Sequence, residues 1–230
     1  MPTILITGSN RGLGLEFVRQ YAADGWQVHA ACRSPEDAGE LQRAATNSSS
    51  IAVHGLDVAH EPQIRALADQ LRDEPIDVLI NNAGVFASAG NSFGQVDKAA
   101  WLQALEINTI APLLMAEAFL PHVERGELKT IVNVSSKVGS LDDNTRGGLY
   151  AYRSSKSAVN QVTKSLALDL EHQGIKAVAL HPGWVRTDMG GPHALIDAPE
   201  SVTGMRRVIA SLSAEQSGAF LNYDGTTIPW

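Results

Sequence analysis

At 230 residues the chain is long enough to bury a substantial core, and its 44% apolar and 19% charged residues exclude a wholly disordered polymer. A net charge of −7 with no long Lys/Arg run argues against a generic nucleic-acid binder, so any phosphate binding must be local. The single cysteine, Cys32, excludes an intramolecular disulfide framework, and the seven histidines form no HExxH or HxxxH pair, so no metal site is expected.

The N-terminal MPTILITGSN lacks a basic and apolar leader pattern, and no apolar run approaches the ~20 residues of a membrane span. A soluble cytoplasmic protein of one domain, residues 1–230, is the expectation.

Short runs rich in Val, Ile and Leu recur at TILIT, WQVHAAC, IAVHGL, DVLIN, TIVNVS, KAVALH and AFLNY, separated by helical patterns. Continuous apolar strands suit a sheet covered on both faces, and right-handed crossovers then generate a doubly wound, mostly parallel α/β sheet of about seven strands. Helices are expected to begin near Gly12, Pro35, Glu61, Asp97, Leu149 and Pro199, with a polar loop at 46–50.

After the first strand comes Thr7-Gly8-Ser9-Asn10-Arg11-Gly12-Leu13-Gly14 and then an apolar helical run. Glycines there let the backbone turn tightly and approach a pyrophosphate at a helix N-terminus, although a purely structural turn has the same composition. The spacing differs from GxGxxG, and no GKS or GKT follows to suggest a P-loop. About twenty residues on, where an NAD-binding fold places an acid for the ribose diol, the second strand ends Ala31-Cys32-Arg33. Arg33 and Arg11 would suit the 2′-phosphate of NADP, which favours NADP(H) over NAD(H); as solvated arginines they would carry no such meaning, and Glu36 or Asp37 could still reach a ribose.

Asn81-Asn82-Ala83-Gly84 follows the fourth strand, where compact residues and amides suit either sheet bracing or close passage of a cofactor. Pro112 lacks the N–H that would bond the Asn108 carbonyl four residues earlier, leaving that oxygen for a water or simply kinking the helix. In LYAYRSSKSAVNQ, Tyr152 and Lys156 stand four residues apart on one helical face. A free phenol titrates near ~10, and a neighbouring ammonium can stabilise its phenolate; a surface pair would have the same spacing.

Together these motifs, with Ser136 and PGWVRTD at 182–188, resemble the short-chain dehydrogenase/reductases nearly end to end, which implies a Rossmann-type fold. The segments NTRGGLYAYRSSKSAVN, HPGWVRTDMGG and NYDGTTIPW look more narrowly like sniffer-like and C-factor-like carbonyl reductases. The resemblance implies Tyr152 as catalytic acid/base, Ser136 orienting the carbonyl, Lys156 positioning the nicotinamide ribose, and Asn108 supporting a proton relay. It also implies cofactor contacts at Gly8, Asn10, Arg11, Gly12, Leu13, Gly14, Arg33, Asp57, Val58, Asn82, Ala83, Gly84, Pro182, Gly183, Val185 and Thr187.

Asp57 would meet adenine, or cap a helix; Thr187 would meet the carboxamide, or be an ordinary turn threonine. Ser136 is preferred to Ser135 on family spacing, and Tyr150 falls off the face of Lys156 and suits a pocket wall. Phe86, Val138, Trp184 and Met189 are further candidate walls, with Lys137 and Arg186 leaving room for an anionic group. Ser136 and Tyr152 are separated by an interval longer than is usual in the family, through LDDNTRGG. The implied activity is NADPH-dependent reduction of an aldehyde, ketone or quinone, in a homodimer or homotetramer built on helices at 98–122 and 149–172. The C-factor likeness raises a rival, an NADP(H)-binding signalling or regulatory protein with little turnover.

Overall fold

The computed structural model describes residues 1–86 and 92–230. Seven strands form one sheet: β1 (Thr3–Thr7), β2 (Gln27–Cys32), β3 (Ile51–Gly55), β4 (Val78–Asn81), β5 (Thr130–Val134), β6 (Lys176–His181) and β7 (Phe220–Asn222), in the order β3-β2-β1-β4-β5-β6-β7. Every named pair is parallel, so the expected "mostly parallel" sheet is wholly so among its ladders. Winding proceeds outward from β1 in one direction and from β4 in the other. The crevice beyond their C-terminal ends is where such sheets bind ligands.

The continuous apolar runs are explained by two covered faces. Ile4, Ile6, Val28 and Ala30 point to one core with Phe17 and Val18 of α1 (Gly12–Ala23), Leu41 of α2 (Gly39–Thr46) and Met205 and Ile209 of α7 (Ala198–Ser211). Leu5, Ala31, Leu79 and Ile131 point to the other, with Ile64 of α3 (Glu61–Gln70), Met115 and Phe119 of α5 (Ala111–Arg125) and Leu166 of α6 (Tyr150–Asp169). Alternation of successive residues between two apolar environments leaves no polar face to mark in the sequence.

Three boundaries depart from expectation. Pro35 opens a single 3-10 turn, Pro35–Asp37, and the helix starts only at Gly39. The long helix expected from 98 is α4 (Lys98–Leu105), a π turn over Glu106–Ile110, and α5, which runs on to Arg125. The last expected stretch of α6 is a 3-10 turn, Glu171–Gln173. By length and composition the 28-residue run Lys98–Arg125 is apolar enough to cross a membrane, contrary to the sequence reading, but half of its most apolar window is buried inside the protein. It serves the core on the sheet's second face.

Candidate active site

A cleft of about 620 Å³ opens along the C-terminal edge of the sheet. One wall is the turn from Gly8 to Gly14. Gly8 has φ +68°, and a Cβ there would lie 2.8 Å from the Ala83 Cα. A Cβ on Gly14 would collide with the Gly8 carbonyl oxygen and lie 2.6 Å from Asn82 Nδ2. The glycines therefore let α1 start directly against the β4 end. Asn82 braces the arrangement, its side-chain amide donating to the Thr7 and Gly8 carbonyls at 2.9 and 3.1 Å, while Thr7 Oγ1 accepts from the Asn82 and Ala83 N–H groups. NNAG is thus both a brace and a wall of the cleft. The N-terminus of α1 has no capping side chain and no acid in its first turn, so its free N–H groups suit an anionic ligand.

At the far end the cleft is lined by Cys32, Arg33, Ser34, Asp37, Leu56, Asp57 and Val58. Arg33 is exposed and, among the described residues, makes no ion pair. Arg11 is instead engaged by Asp188 across the cleft mouth, both side chains being about three-quarters exposed. Asp57 Oδ1 accepts from the Ala59 N–H at 3.0 Å, which holds the loop, and it also faces the cleft.

At the near end stand Tyr152 and Lys156, projected from α6, whose start is set by left-handed backbone at Gly147, Gly148 and Leu149. Lys156 is only 6% exposed; its Nζ donates to the Val134 carbonyl at 2.9 Å and lies 5.8 Å from the centre of the Tyr152 ring. Burial pushes the ammonium down to about 8. Burial also pushes the Tyr152 phenol up to about 12, with the Ser136 hydroxyl pulling the other way. The expectation that Lys156 lowers the phenol is corrected by this geometry: the ammonium lies beside the ring and is bonded to Val134, and desolvation dominates. Phe86 meets the Tyr152 ring edge-on, centroids 4.9 Å apart, and Met189 Sδ is 4.0 Å from the phenol oxygen.

The two serines separate cleanly. Ser135, on the cleft lining, is buried and donates to Asn160 Oδ1 at 2.6 Å, whereas Ser136 is the serine whose hydroxyl pulls the Tyr152 phenol down. Asn108 is buried with its side chain fully occupied: Oδ1 accepts from the Val85 N–H, and Nδ2 donates to the Val85 carbonyl and to Ser155 Oγ. Its π turn is closed by the Ala111 N–H on the Glu106 carbonyl, just before Pro112.

The lining includes Gly8, Asn10, Arg11, Gly12, Leu13, Gly14, Arg33, Asp57, Val58, Asn82, Ala83, Gly84, Tyr152, Lys156, Pro182 and Thr187. Asn108, Ser136, Gly183 and Val185 lie off it. Gly183, at φ +83°, is packed by Ile196 and Tyr223, and Val185 is buried in a bridge to Ile196, so this pair shapes the turn that presents Thr187. Lys137 pairs with Asp143 at 3.4 Å, and Arg186 donates to the Ala194 and Leu195 carbonyls, so neither stands ready for an anionic substrate.

Sequence reasoning missed Ser155, which accepts from Asn108 and donates to the Tyr152 carbonyl at 2.9 Å, linking the π turn to α6. It also missed the Val134 carbonyl and Asp188. A helix-interior serine was a faint signal for the first; a backbone oxygen gives none.

The sheet order, the open helix N-terminus and the cleft define a dinucleotide-binding α/β protein. Residues 2–194 match the short chain dehydrogenase family, and the chain belongs to it. The C-signal protein of Myxococcus xanthus is 48% identical over 167 residues, covering 73% of this chain and all of that one. Among solved structures, the carbonyl reductase Sniffer of D. melanogaster superposes with a TM-score of 0.93 at 39% identity, covering both chains fully. An NADPH-bound carbonyl reductase from chicken fatty liver does so with 0.93 at 36% identity, covering 100% of this chain and 99% of the other. Members of the family are oxidoreductases that bind nicotinamide cofactors.

Proposed function

We propose that this protein is an NADPH-dependent carbonyl reductase acting on a neutral aldehyde, ketone or quinone, running reversibly as an alcohol dehydrogenase. The observation that carries the reading is the end of the cleft, where Tyr152 stands beside the buried Lys156, whose Nζ is 5.8 Å from the centre of the Tyr152 ring. The likeness to an NADPH-bound carbonyl reductase supports it.

The residues present fit NADP(H). The Gly8–Gly14 turn and the open N-terminus of α1 would hold the pyrophosphate, the exposed Arg33 the 2′-phosphate, Asp57 and Val58 the adenine, and Lys156 with Thr187 the nicotinamide half. When bound, the reduced cofactor supplies hydride to the carbonyl carbon. Ser136 hydrogen-bonds the carbonyl oxygen as its negative charge grows, and Tyr152 donates the proton that completes the alcohol. A phenol held at about 12 keeps its proton at neutral pH, as a donor must. In this reading Lys156, near 8, would return a proton to Tyr152, and the Asn108 carbonyl, which Pro112 gives no N–H four residues on, would hold a water in that path.

Met189, which lines the cleft, and Phe86, which packs on the Tyr152 ring, favour an apolar carbonyl compound, since Lys137 and Arg186 are already paired. The C-signal likeness supports a second reading, an NADP(H)-binding signalling protein with little turnover. Following NADPH oxidation across a panel of aldehydes, ketones and quinones, alongside direct NADPH binding, separates the two: turnover supports the reductase, and tight binding with no turnover supports the signalling protein.

A further inference from the structure

We infer that Trp230 is a positioning residue for Tyr152 relative to Ser136, anchoring the loop that joins the two; the role rests on the carbonyl reductase reading. The loop begins at Ser136 and makes one 3-10 turn, Lys137–Gly139, tied to α6 itself. Ser157 Oγ donates to the Gly139 carbonyl at 2.7 Å, Arg153 donates to the Val138 carbonyl at 3.0 Å, and a Cβ on Gly139 would lie 2.8 Å from the Lys156 carbonyl carbon.

Beyond that turn the chain leaves α6, and its next anchor is the Trp230 carbonyl oxygen. It accepts from Ser140 Oγ at 3.0 Å, the Leu141 N–H at 2.8 Å and the Asp142 N–H at 3.0 Å. Ser140 Oγ also accepts from the Asp143 N–H, and Asp143 pairs with Lys137, which closes the loop on itself. Trp230 is in turn fixed to the last strand: its ring stacks on Phe220 of β7, centroids 5.7 Å apart and planes 21° from parallel, while the Ile228 N–H donates to the Phe220 carbonyl. Phe220 is 1% exposed, so the stack has an immobile base.

This connects to the long interval noted in the sequence. Tyr152 lies sixteen positions after Ser136, and a longer loop has more freedom to lose when both must face one carbonyl oxygen. Three donors converging on one acceptor remove that freedom at residues 140–142. With the ring stack gone, the Trp230 carbonyl loses its fixed place, and the stretch from Ser140 to the start of α6, which leads into Tyr152, gains freedom against the turn that carries Ser136. The cofactor end of the cleft, built on the Gly8–Gly14 turn and Arg33, shares none of these contacts.

The test compares wild type with Trp230→Ala, Trp230→Phe and Ser140→Ala. In Trp230→Ala, hydrogen exchange at the Leu141 and Asp142 amides speeds up, KM for the carbonyl substrate rises roughly tenfold with a smaller fall in kcat, and the NADPH Kd stays within about twofold. Trp230→Phe, which keeps a ring on Phe220, restores wild-type behaviour, and Ser140→Ala gives a weaker form of the same change without touching Trp230. Unchanged exchange in Trp230→Ala overturns the anchor; faster exchange with unchanged KM overturns the positioning role; a parallel loss of NADPH affinity makes Trp230 merely structural. A wild-type protein that binds NADPH but reduces no carbonyl sinks the reductase reading and the positioning role with it, while the exchange data still report on the anchor.

Discussion

Burial displaces Tyr152 and Lys156 in opposite directions from free values of 10.0 and 10.5, because each is driven toward its neutral form. For Lys156 the folded value, about 8, lies below the unfolded one, so between the two the unfolded chain binds more protons and the folded state gains stability as pH rises. The expected outcome is that wild type gains on a Lys156→Met variant by on the order of a few kcal/mol between pH 8 and 10.5, read from urea unfolding at each pH, since a tenfold change in acidity corresponds to about 1.4 kcal/mol. Equal pH dependence of the two proteins would contradict a buried ammonium. A second residue-level outcome concerns Arg33: Arg33→Ala should weaken NADPH binding by roughly tenfold or more while leaving NADH binding unchanged, the signature of a charge-assisted bond to a 2′-phosphate. A matching loss for both cofactors would remove that assignment.

At the scale of elements, α1 can begin against β4 only because Gly14 lacks a side chain. Gly14→Ala must push the helix off the Gly8 carbonyl and Asn82, so it should destabilise the protein by roughly 1–3 kcal/mol and weaken cofactor binding together, measured by denaturant melts and by titration. All seven strands were legible, since apolar runs bounded by turn residues are a backbone-level signal. Their parallel pairing followed from the alternation with helices. The π turn at Glu106–Ile110 was not legible. Pro112 announced a missing hydrogen bond, but whether the helix kinks or widens depends on what Asn108 meets, namely Val85 and Ser155, and those contacts are tertiary. Pro35 likewise marked a start, yet its residues form a 3-10 turn before α2 takes over at Gly39.

Across the whole molecule, residues far apart in sequence converge because β1 and β4 lie side by side with the chain winding away from both. The glycine turn, Arg33, NNAG and the Tyr152–Lys156 pair were each readable locally, and most of them do line one cleft. The pairing of Arg11 with Asp188 and of Lys137 with Asp143 was not readable, because an exposed charge in a sequence gives no sign of its partner. Assembly belongs to this scale too. Val159 and Leu166 of α6 are core residues and Val162 packs against the same core, so a homo-oligomer would have to use outward positions such as Leu102, Ile110 and Leu168. If the homodimer or homotetramer implied by the family resemblance forms, sedimentation should give the mass of two or four chains and Leu102→Glu should lower it; a monomer at all concentrations would contradict that expectation.

The central claim is that Tyr152 delivers the proton in carbonyl reduction, and the most direct measurement is single-turnover NADPH oxidation by wild type and Tyr152→Phe on a carbonyl substrate the wild type reduces. The account predicts a rate reduced by about 10²-fold or more with the NADPH Kd unchanged, because only the phenolic proton is removed. A Tyr152→Phe protein that oxidises NADPH at the wild-type rate would contradict it.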